Sequence, residues 1–263
     1  MKWTVKKIRE SKGKEPLPTI TAYDAITARM ADETGMPLIL VGDSLGTTSL
    51  GFETTVPVTM EIMLHHTKAV RKGAKNSLIV ADLPFLSYQI NDDEAIRNAG
   101  RFLQEAGADA VKLEGGEMRA PLIKKLVDNG IPVMAHLGVL PQSVKESGYA
   151  AKGRTDEDFE RLKKDILAVN NAGAFCVVLE CVTSDAACEL TKISTIPTIG
   201  IGSGNGCDGQ IIVISDLLGM IEGPVPKFVK KYAEFASTGK SAIEDFIADV
   251  KSRVYPGEEH TYK

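Results

Sequence analysis

The feature that most constrains the fold is a repeated alternation between short apolar runs and longer stretches with helical patterning. Several of the apolar runs are almost free of polar residues, which is typical of parallel strands that are covered on both faces. Eight runs are strand candidates: 18–24, 37–44, 77–85, 109–116, 132–139, 175–182, 197–204 and 210–216.

The stretches between these runs have the spacing of amphipathic helices. Residues 92–108 and 156–174 are two examples, and Gly173 suits a helix end. About eight strand–helix units over 263 residues predict a (β/α)₈ TIM barrel of class α/β, with one catalytic domain over 1–263. A doubly wound open sheet is the alternative, because alternation alone does not establish closure of the sheet.

Composition excludes several classes of protein. A net charge of −4 gives no field that would attract nucleic acid or an anionic membrane. No apolar run approaches the roughly 18 residues that a membrane-spanning helix needs. The start of the chain, "MKWTVKKIRE", has no apolar signal segment, so a cytoplasmic location is expected. None of the four cysteines forms C-x-x-C, and we expect reduced, unpaired thiols.

Polar residues stand near the ends of the predicted strands, where a barrel enzyme carries its chemistry. They are Asp24, Asp43, Ser44, Asp82, Lys112, Glu114, His136 and Glu180. Lys112 and Glu114 are two residues apart and share a strand face. Two charged groups facing a dry helix layer would be costly, so the barrel mouth is favoured for both.

Each of these residues also has a plainer interpretation. Asp43 and Asp82 could cap the elements that follow them. Lys112 and Glu114 could form a structural salt bridge, and His136 could be a hydrogen-bonded core histidine. Four carboxylates and a lysine meeting at one mouth nevertheless favour a site. Carboxylate oxygens with no cysteine and little histidine indicate Mg²⁺ rather than zinc, with Asp43 and Asp82 as ligands and Glu114 nearby or acting through water.

The stretch "LILVGDSLG" at 38–46 matches G-x-S-x-G, the nucleophile elbow of serine hydrolases, and contains the GDSL signature of an esterase group. An elbow turns directly from strand into helix, whereas residues 47–59 are rich in Thr and Gly. No histidine lies three residues after an aspartate, as the GDSL group requires. A serine esterase is therefore disfavoured. The glycine-rich stretch 199–209 is either a phosphate-binding turn or a tight turn.

Nine blocks together resemble the ketopantoate hydroxymethyltransferase family in order and spacing, from about residue 18 to 260. They are "TITAYD", "VGDSLGTT", "HTKAVRKGA", "ADLPF", "VKLEGGE", "AHLGVLPQSV", "VLECV", "IGIGSGNGCDGQI" and "VYPGEEHTY". The resemblance implies a phosphoenolpyruvate mutase-like barrel that assembles as a homo-oligomer, commonly a homodecamer. It also implies transfer of the one-carbon unit of 5,10-methylenetetrahydrofolate to 3-methyl-2-oxobutanoate through a Mg²⁺-stabilised enolate, giving 2-dehydropantoate for pantothenate and coenzyme A synthesis.

The resemblance also assigns roles to particular positions. Mg²⁺ ligands would be Asp43, Asp82 and Glu114, and Glu180 would be the catalytic proton acceptor. The keto acid would contact Asp43, Ser44, Asp82 and Lys112, with His136 as a further pocket candidate. A metal-dependent carbon–carbon lyase of the same barrel superfamily is the alternative activity.

Overall fold

The computed structural model describes residues 2–143, 150–223 and 225–262. Its eight strands are parallel and form a closed barrel in chain order, with β8 pairing back onto β1. The strands are β1 (Leu17–Thr21), β2 (Leu38–Val41), β3 (Leu78–Asp82), β4 (Ala110–Glu114), β5 (Val133–Gly138), β6 (Cys176–Glu180), β7 (Thr198–Ile201) and β8 (Gly209–Ile212). The barrel prediction is confirmed, and the open sheet is wrong because every strand is paired on both sides.

Each of the eight predicted runs corresponds to one strand, although β1 and β8 each begin one residue before their run and all the runs extend beyond the ends of their strands. Strand β8 stops at Ile212, and a helical turn over Ile214–Leu217 occupies the end of the run 210–216. The pattern "QIIVISD" does not reveal this change, because short apolar runs fit a strand and a helical turn equally well.

The described residues contain ten α-helices. They are α1 (Val5–Arg9), α2 (Ala25–Glu33), α3 (Leu45–Thr48), α4 (Met60–Gly73), α5 (Asp92–Ala106), α6 (Ala120–Asp128), α7 (Asp156–Asn171), α8 (Ser184–Ile193), α9 (Ile214–Leu217) and α10 (Phe235–Ser252). The predicted helices at 92–108 and 156–174 correspond to α5 and α7. Gly107 ends α5 in a left-handed conformation, with φ of 70°, that glycine adopts without strain.

The chain divides into two compact units, residues 1–213 and 214–263. All eight strands belong to the first unit, and the second contains α9 and α10. A single catalytic domain over 1–263 stays a prediction. Among the described helices, none is both long and apolar enough to cross a membrane.

The barrel interior is filled by apolar side chains from every strand. They are Leu17, Leu38, Leu40, Leu78, Val80, Ala110, Met134, Cys176, Val178, Ile199 and Ile211. Ile8 of α1 and Phe175 extend this cluster, and Trp3 packs against it. Each large apolar side chain buried here contributes about 1.5–3 kcal/mol. Cys176 is part of the core, and all four cysteines are free thiols.

Asp32, near the end of α2, forms hydrogen bonds with residues 75–77, the segment that leads into β3. Its carboxylate accepts hydrogen bonds from the backbone N–H groups of Lys75, Asn76 and Ser77 and from the side chains of Asn76 and Ser77. Burial by itself raises the pKa of Asp32, but these donors outweigh it and lower the pKa from 3.8 to about 2. The ionised carboxylate therefore stabilises the folded barrel.

We expect Asp32→Asn to lower the free energy of unfolding at pH 7 by about 2 kcal/mol, since the shift of Asp32 from its unfolded pKa is worth that amount. The folded pKa is depressed, so this stabilisation is complete above about pH 4 and is lost as the pH falls toward 2. Urea unfolding from pH 7 to 3.5 should show the difference between wild type and variant narrowing below about pH 4.

Asp128→Asn, an exposed position on α6, is the matched control and should change stability little at any pH. An Asp32→Asn protein as stable as wild type at pH 7 would contradict the anchoring role of this carboxylate.

Candidate active site

Four strands carry an interior apolar residue followed two positions later by an ionisable one. The pairs are Val80 and Asp82, Ala110 and Lys112, Met134 and His136, and Val178 and Glu180. Because alternate residues of a strand share a face, the polar side chains continue the interior face to the C-terminal end of the barrel. Glu114 follows Lys112 on the same face, which places both charged groups at the mouth rather than in the helix layer.

Lys112 and Asp82 form a buried ion pair across neighbouring strands. Their backbones are directly in register, and Lys112 Nζ lies 2.8 Å from Asp82 Oδ1. Apart from this ion pair, Oδ1 has no hydrogen-bond partner within the described chain. The other oxygen, Oδ2, accepts a hydrogen bond of 3.2 Å from the backbone N–H of Asp43.

Burial strongly shifts the protonation of these groups. It raises the pKa of Asp82 to about 7, with Lys112 opposing the shift and Asp43 adding to it. Burial also raises the pKa of Glu114 well above its ordinary value, again against Lys112 and with Asp43 and Asp82. Burial opposes the charge of Lys112, but the surrounding carboxylates raise its pKa overall, so the ammonium remains charged. The cluster therefore holds more carboxylates than one cation can balance.

His136 connects Lys112 to Glu180. Its Nδ1 lies 3.3 Å from Lys112 Nζ and its Nε2 lies 3.3 Å from Glu180 Oε2. Burial, reinforced by Lys112, lowers the pKa of His136, so the ring is neutral at pH 7. An ammonium can only donate, so Nδ1 accepts and Nε2 carries the proton toward Glu180. The Nε2–Oε2 contact is within reach but is not aligned as a hydrogen bond here.

Glu180 is the most accessible member of the cluster, with its side chain 20% exposed. The next residue, Cys181, has φ of 49°, which is uncommon outside glycine. Ser203 holds this bend, because its hydroxyl donates to Leu179 O at 2.7 Å and accepts from Val182 N at 3.0 Å. The glycine-rich stretch 199–209 therefore forms the turn that holds the backbone on both sides of Glu180.

Two residues of the site were missed by the sequence analysis. Gln142 is buried, donates to Asp43 Oδ2 at 2.9 Å from its side chain, and donates to Glu114 Oε2 at 3.1 Å from its backbone. Tyr88 donates to Gln142 Oε1 at 2.8 Å, and burial raises its pKa well above 10, so its hydroxyl stays protonated. Both residues lie outside the strands, and only the three-dimensional fold brings them to the carboxylates.

Ser44 does not have the geometry of an elbow nucleophile. Its φ and ψ are −52° and −19°, an unstrained helical conformation, and only one helical turn, α3, follows it. Its hydroxyl shares a hydrogen bond of 2.9 Å with Tyr23 OH, which also accepts from Thr21. Asp24, another strand-end candidate, caps α2 by accepting from the N–H groups of Ile26 and Thr27.

The donor set fits a hard divalent cation in chemical type and charge. Asp43, Asp82 and Glu114 face one ammonium, which leaves two excess negative charges when all are ionised. Glu114 Oε1 is buried and has no hydrogen-bond partner within the described chain. In the same described residues, no three His, Cys, Asp or Glu side chains form a ready-made metal cage. Mg²⁺ needs only one or two carboxylates, because water and substrate oxygens complete its shell.

Comparison with known proteins places this arrangement in a family. Residues 2–258 match a family model described as ketopantoate hydroxymethyltransferase. A relative from Syntrophus aciditrophicus is 50% identical over 263 residues, covering 99% of this chain and 97% of the relative. One from Thermotoga maritima is 49% identical over 259 residues, covering 98% and 96%. Both relatives are named 3-methyl-2-oxobutanoate hydroxymethyltransferase.

Solved structures share the fold at low identity. A 2,3-dimethylmalate lyase of the PEP mutase/isocitrate lyase superfamily aligns with a TM-score of 0.60 and 17% identity, covering 99% of this chain and 92% of the other. A phosphonopyruvate hydrolase in complex with oxalate and Mg²⁺ aligns with a TM-score of 0.63 and 12% identity, covering 98% and 93%. The predicted phosphoenolpyruvate mutase-like barrel is thus confirmed.

Lys112→Met should destabilise the metal-free protein by about 3–5 kcal/mol at pH 8, because it leaves buried carboxylates without their counter-charge. The loss should be smaller at pH 5.5, since Asp82, with a pKa of about 7 in the wild type, is then largely protonated and needs no cation. Urea unfolding in EDTA at both pH values measures the difference.

Lys124→Met, on the exposed face of α6, is the control and should be nearly neutral. Equal destabilisation of Lys112→Met at pH 5.5 and 8 would contradict an ionic origin of the effect.

Proposed function

The chain belongs to the ketopantoate hydroxymethyltransferase family, and on this premise we propose that it joins the one-carbon unit of 5,10-methylenetetrahydrofolate to 3-methyl-2-oxobutanoate. With one water consumed, the products are 2-dehydropantoate and tetrahydrofolate. The observation that carries this proposal is the buried group of carboxylates around Lys112 at the barrel mouth. Such a group is suited to a small oxygen-rich acid and a divalent cation, rather than to an apolar ligand.

Asp43, Asp82 and Glu114 would hold Mg²⁺, a role supported by their oxygen donors, by the negative charge that they would carry when ionised, and by the unpartnered oxygen of Glu114 within the described chain. When bound, Mg²⁺ would supply Lewis-acid polarisation of the keto group, worth several kcal/mol. Burial of the three carboxylates would keep competing water away from that position.

Lys112 and Ser44 would orient the keto acid. The ammonium of Lys112 is buried and permanently charged, and it would offset the negative charge of the substrate carboxylate and of the developing enolate. The Ser44 hydroxyl lies beside Asp43 and is held by Tyr23, which makes it a directed hydrogen-bond partner rather than a nucleophile.

Glu180 would take the proton from C3 of the keto acid. The C3–H electron pair then forms the enolate, whose C3 attacks the methylene carbon of the folate as one of its two C–N bonds opens. Water replaces the second C–N bond and supplies the hydroxyl of the new hydroxymethyl group. The proton from C3 and the remaining proton of that water end on the two nitrogens, which gives tetrahydrofolate. Glu180 is partly open to the mouth, whereas the other carboxylates are buried, so it is the one best placed for proton exchange. Neutral His136, with its Nε2 proton toward Glu180, would steady that carboxylate.

The proposal extends to the setting of the reaction. Homo-oligomerisation, commonly as a decamer, and a cytoplasmic role in pantothenate and coenzyme A synthesis stay predictions that rest on the family resemblance.

Proton NMR of 3-methyl-2-oxobutanoate in D₂O tests the proposal directly. With the protein and Mg²⁺ we expect loss of the C3–H signal, because the enolate takes up deuterium. Adding 5,10-methylenetetrahydrofolate should then give 2-dehydropantoate, and EDTA should abolish both changes.

An unchanged spectrum with folded, Mg²⁺-supplied protein would refute the proposed substrate pair. Cleavage of a 2,3-dimethylmalate-type acid without folate would instead identify the lyase alternative.

Glu180→Gln should lower kcat by about 10²–10⁴-fold, because the amide cannot accept the C3 proton. Keto acid binding in the presence of Mg²⁺, measured by calorimetry, should change little, since Asp43, Asp82 and Lys112 are intact. Glu160→Gln, an exposed position on α7, is the matched control and should retain wild-type turnover. Near-normal turnover of Glu180→Gln would mean that this carboxylate is structural.

A further inference from the structure

Gln142 makes contacts with the ends of three strands from a single side chain and its backbone. Its Nε2 donates to Asp43 Oδ2 at 2.9 Å and to Leu83 O at 2.9 Å. Its backbone N–H donates to Glu114 Oε2 at 3.1 Å. Asp43 follows β2, Leu83 follows β3 and Glu114 ends β4, so one residue from the segment after β5 ties these strand ends together.

The orientation of the Gln142 amide is fixed by what surrounds it. Asp43 Oδ2 and Leu83 O are both acceptors, so the NH₂ group must face them. On the opposite side, Oε1 accepts from Tyr88 OH at 2.8 Å and more weakly from Gln89 Nε2 at 3.4 Å. A flipped amide would bring its oxygen against a carboxylate and a carbonyl, losing both donated hydrogen bonds.

The position of Tyr88 is itself fixed by contacts with Glu114 and Arg119. Its hydroxyl accepts from the backbone N–H of Glu114 at 3.3 Å while donating to Gln142. The guanidinium of Arg119 lies over its ring, 5.5 Å from the centroid, which further limits movement of the ring. Three hydrogen bonds therefore form a ring: Tyr88 donates to Gln142, the backbone of Gln142 donates to the Glu114 carboxylate, and the backbone of Glu114 donates to Tyr88.

These contacts use one oxygen of each carboxylate and leave the other for a different partner. Gln142 engages Oδ2 of Asp43 and Oε2 of Glu114. Oε1 of Glu114 is buried and has no hydrogen-bond partner within the described chain. An outer donor that fixes one carboxylate oxygen reduces the rotation of the group and so aims the second oxygen.

We propose that Gln142, with its amide oriented by Tyr88, is the positioning residue that aims the carboxylates of Asp43 and Glu114 for divalent-cation binding. The inference rests on the proposed function, since it gives those two carboxylates the role of cation ligands. Gln142 does not contact the reacting atoms; it acts through the carboxylates.

The test is Mn²⁺ binding by the intact chain, measured by electron paramagnetic resonance without folate or keto acid. Gln142→Met keeps the length of the side chain and the backbone N–H to Glu114 but removes the two hydrogen bonds that the amide donates and the two that it accepts. We expect its Mn²⁺ affinity to fall about 10–100-fold in protein that circular dichroism shows to be folded at the assay temperature. Turnover lost at low Mg²⁺ should be partly restored by raising the Mg²⁺ concentration at a temperature well below the melting temperature measured in EDTA, where the variant is folded without metal and stabilisation by the ligand cannot account for the recovery.

Gln104→Met, on the exposed face of α5, is the matched control and should bind Mn²⁺ as the wild type does. If Gln142→Met fails to fold, Tyr88→Phe decides the question, because it removes only the hydroxyl that orients the amide. A smaller loss of Mn²⁺ affinity in Tyr88→Phe would then support the proposal.

Mn²⁺ affinity within about twofold of wild type in folded Gln142→Met would overturn the proposal. If Gln142→Met does not fold, unchanged Mn²⁺ affinity in Tyr88→Phe would also overturn it. A wild type that binds no Mn²⁺ would overturn it as well. A wild type that binds Mn²⁺ but forms no 2-dehydropantoate would refute the proposed reaction alone, and the affinities of the variants would still judge the role of Gln142.

Discussion

The period of two along parallel strands is the constraint on which the rest of this structure depends. Closure of eight strands forces one face of each strand inward, and most of that face is apolar. Met134 and Val178 fill the core, and the residues two positions later, His136 and Glu180, continue on the same face. The same alternation that buries the core thus carries charged groups to one end without exposing them to the helix layer.

That arrangement has an energetic cost which the apolar interior must offset. Burial raises the pKa of Asp82 to about 7, so holding it ionised at neutral pH opposes folding. Lys112 reduces the cost, but one ammonium cannot balance three carboxylates. Sites with unbalanced buried charge are destabilising for the bare protein and favourable once a cation and an anionic substrate arrive. The excess of carboxylates over cations at the mouth is therefore more informative about function than the Lys112–Asp82 ion pair.

The sequence predicted the parts of the fold that depend on local patterning. All eight strands and the long helices α5 and α7 were found where apolar periodicity indicated them. The facing of Lys112 and Glu114 followed from their spacing together with the cost of burying two charged groups in a dry helix layer. Gln142 and Tyr88 could not be found in this way, because no strand or helix periodicity marks residues between the main elements. Only the folded barrel brings Gln142 against Asp43 and Tyr88 against Gln142. The match of Ser44 to a nucleophile motif was weak evidence, because a short motif does not show whether the backbone adopts the strained turn that an elbow nucleophile needs. The backbone of Ser44 does not adopt it.

Two buried aspartates show how hydrogen-bond partners separate a structural group from a functional one. Asp32 and Asp82 are both buried, yet the pKa of Asp32 is about 2 and that of Asp82 is about 7. Asp32 is surrounded by five donors that belong to its own fold, so its charge is fully satisfied and serves stability. Asp82 has one backbone donor and an ion pair, and apart from that pair its Oδ1 has no hydrogen-bond partner within the described chain. The scarcity of donors at Asp82 is the contrast with Asp32 that supports the proposed role of Asp82 in binding a cation.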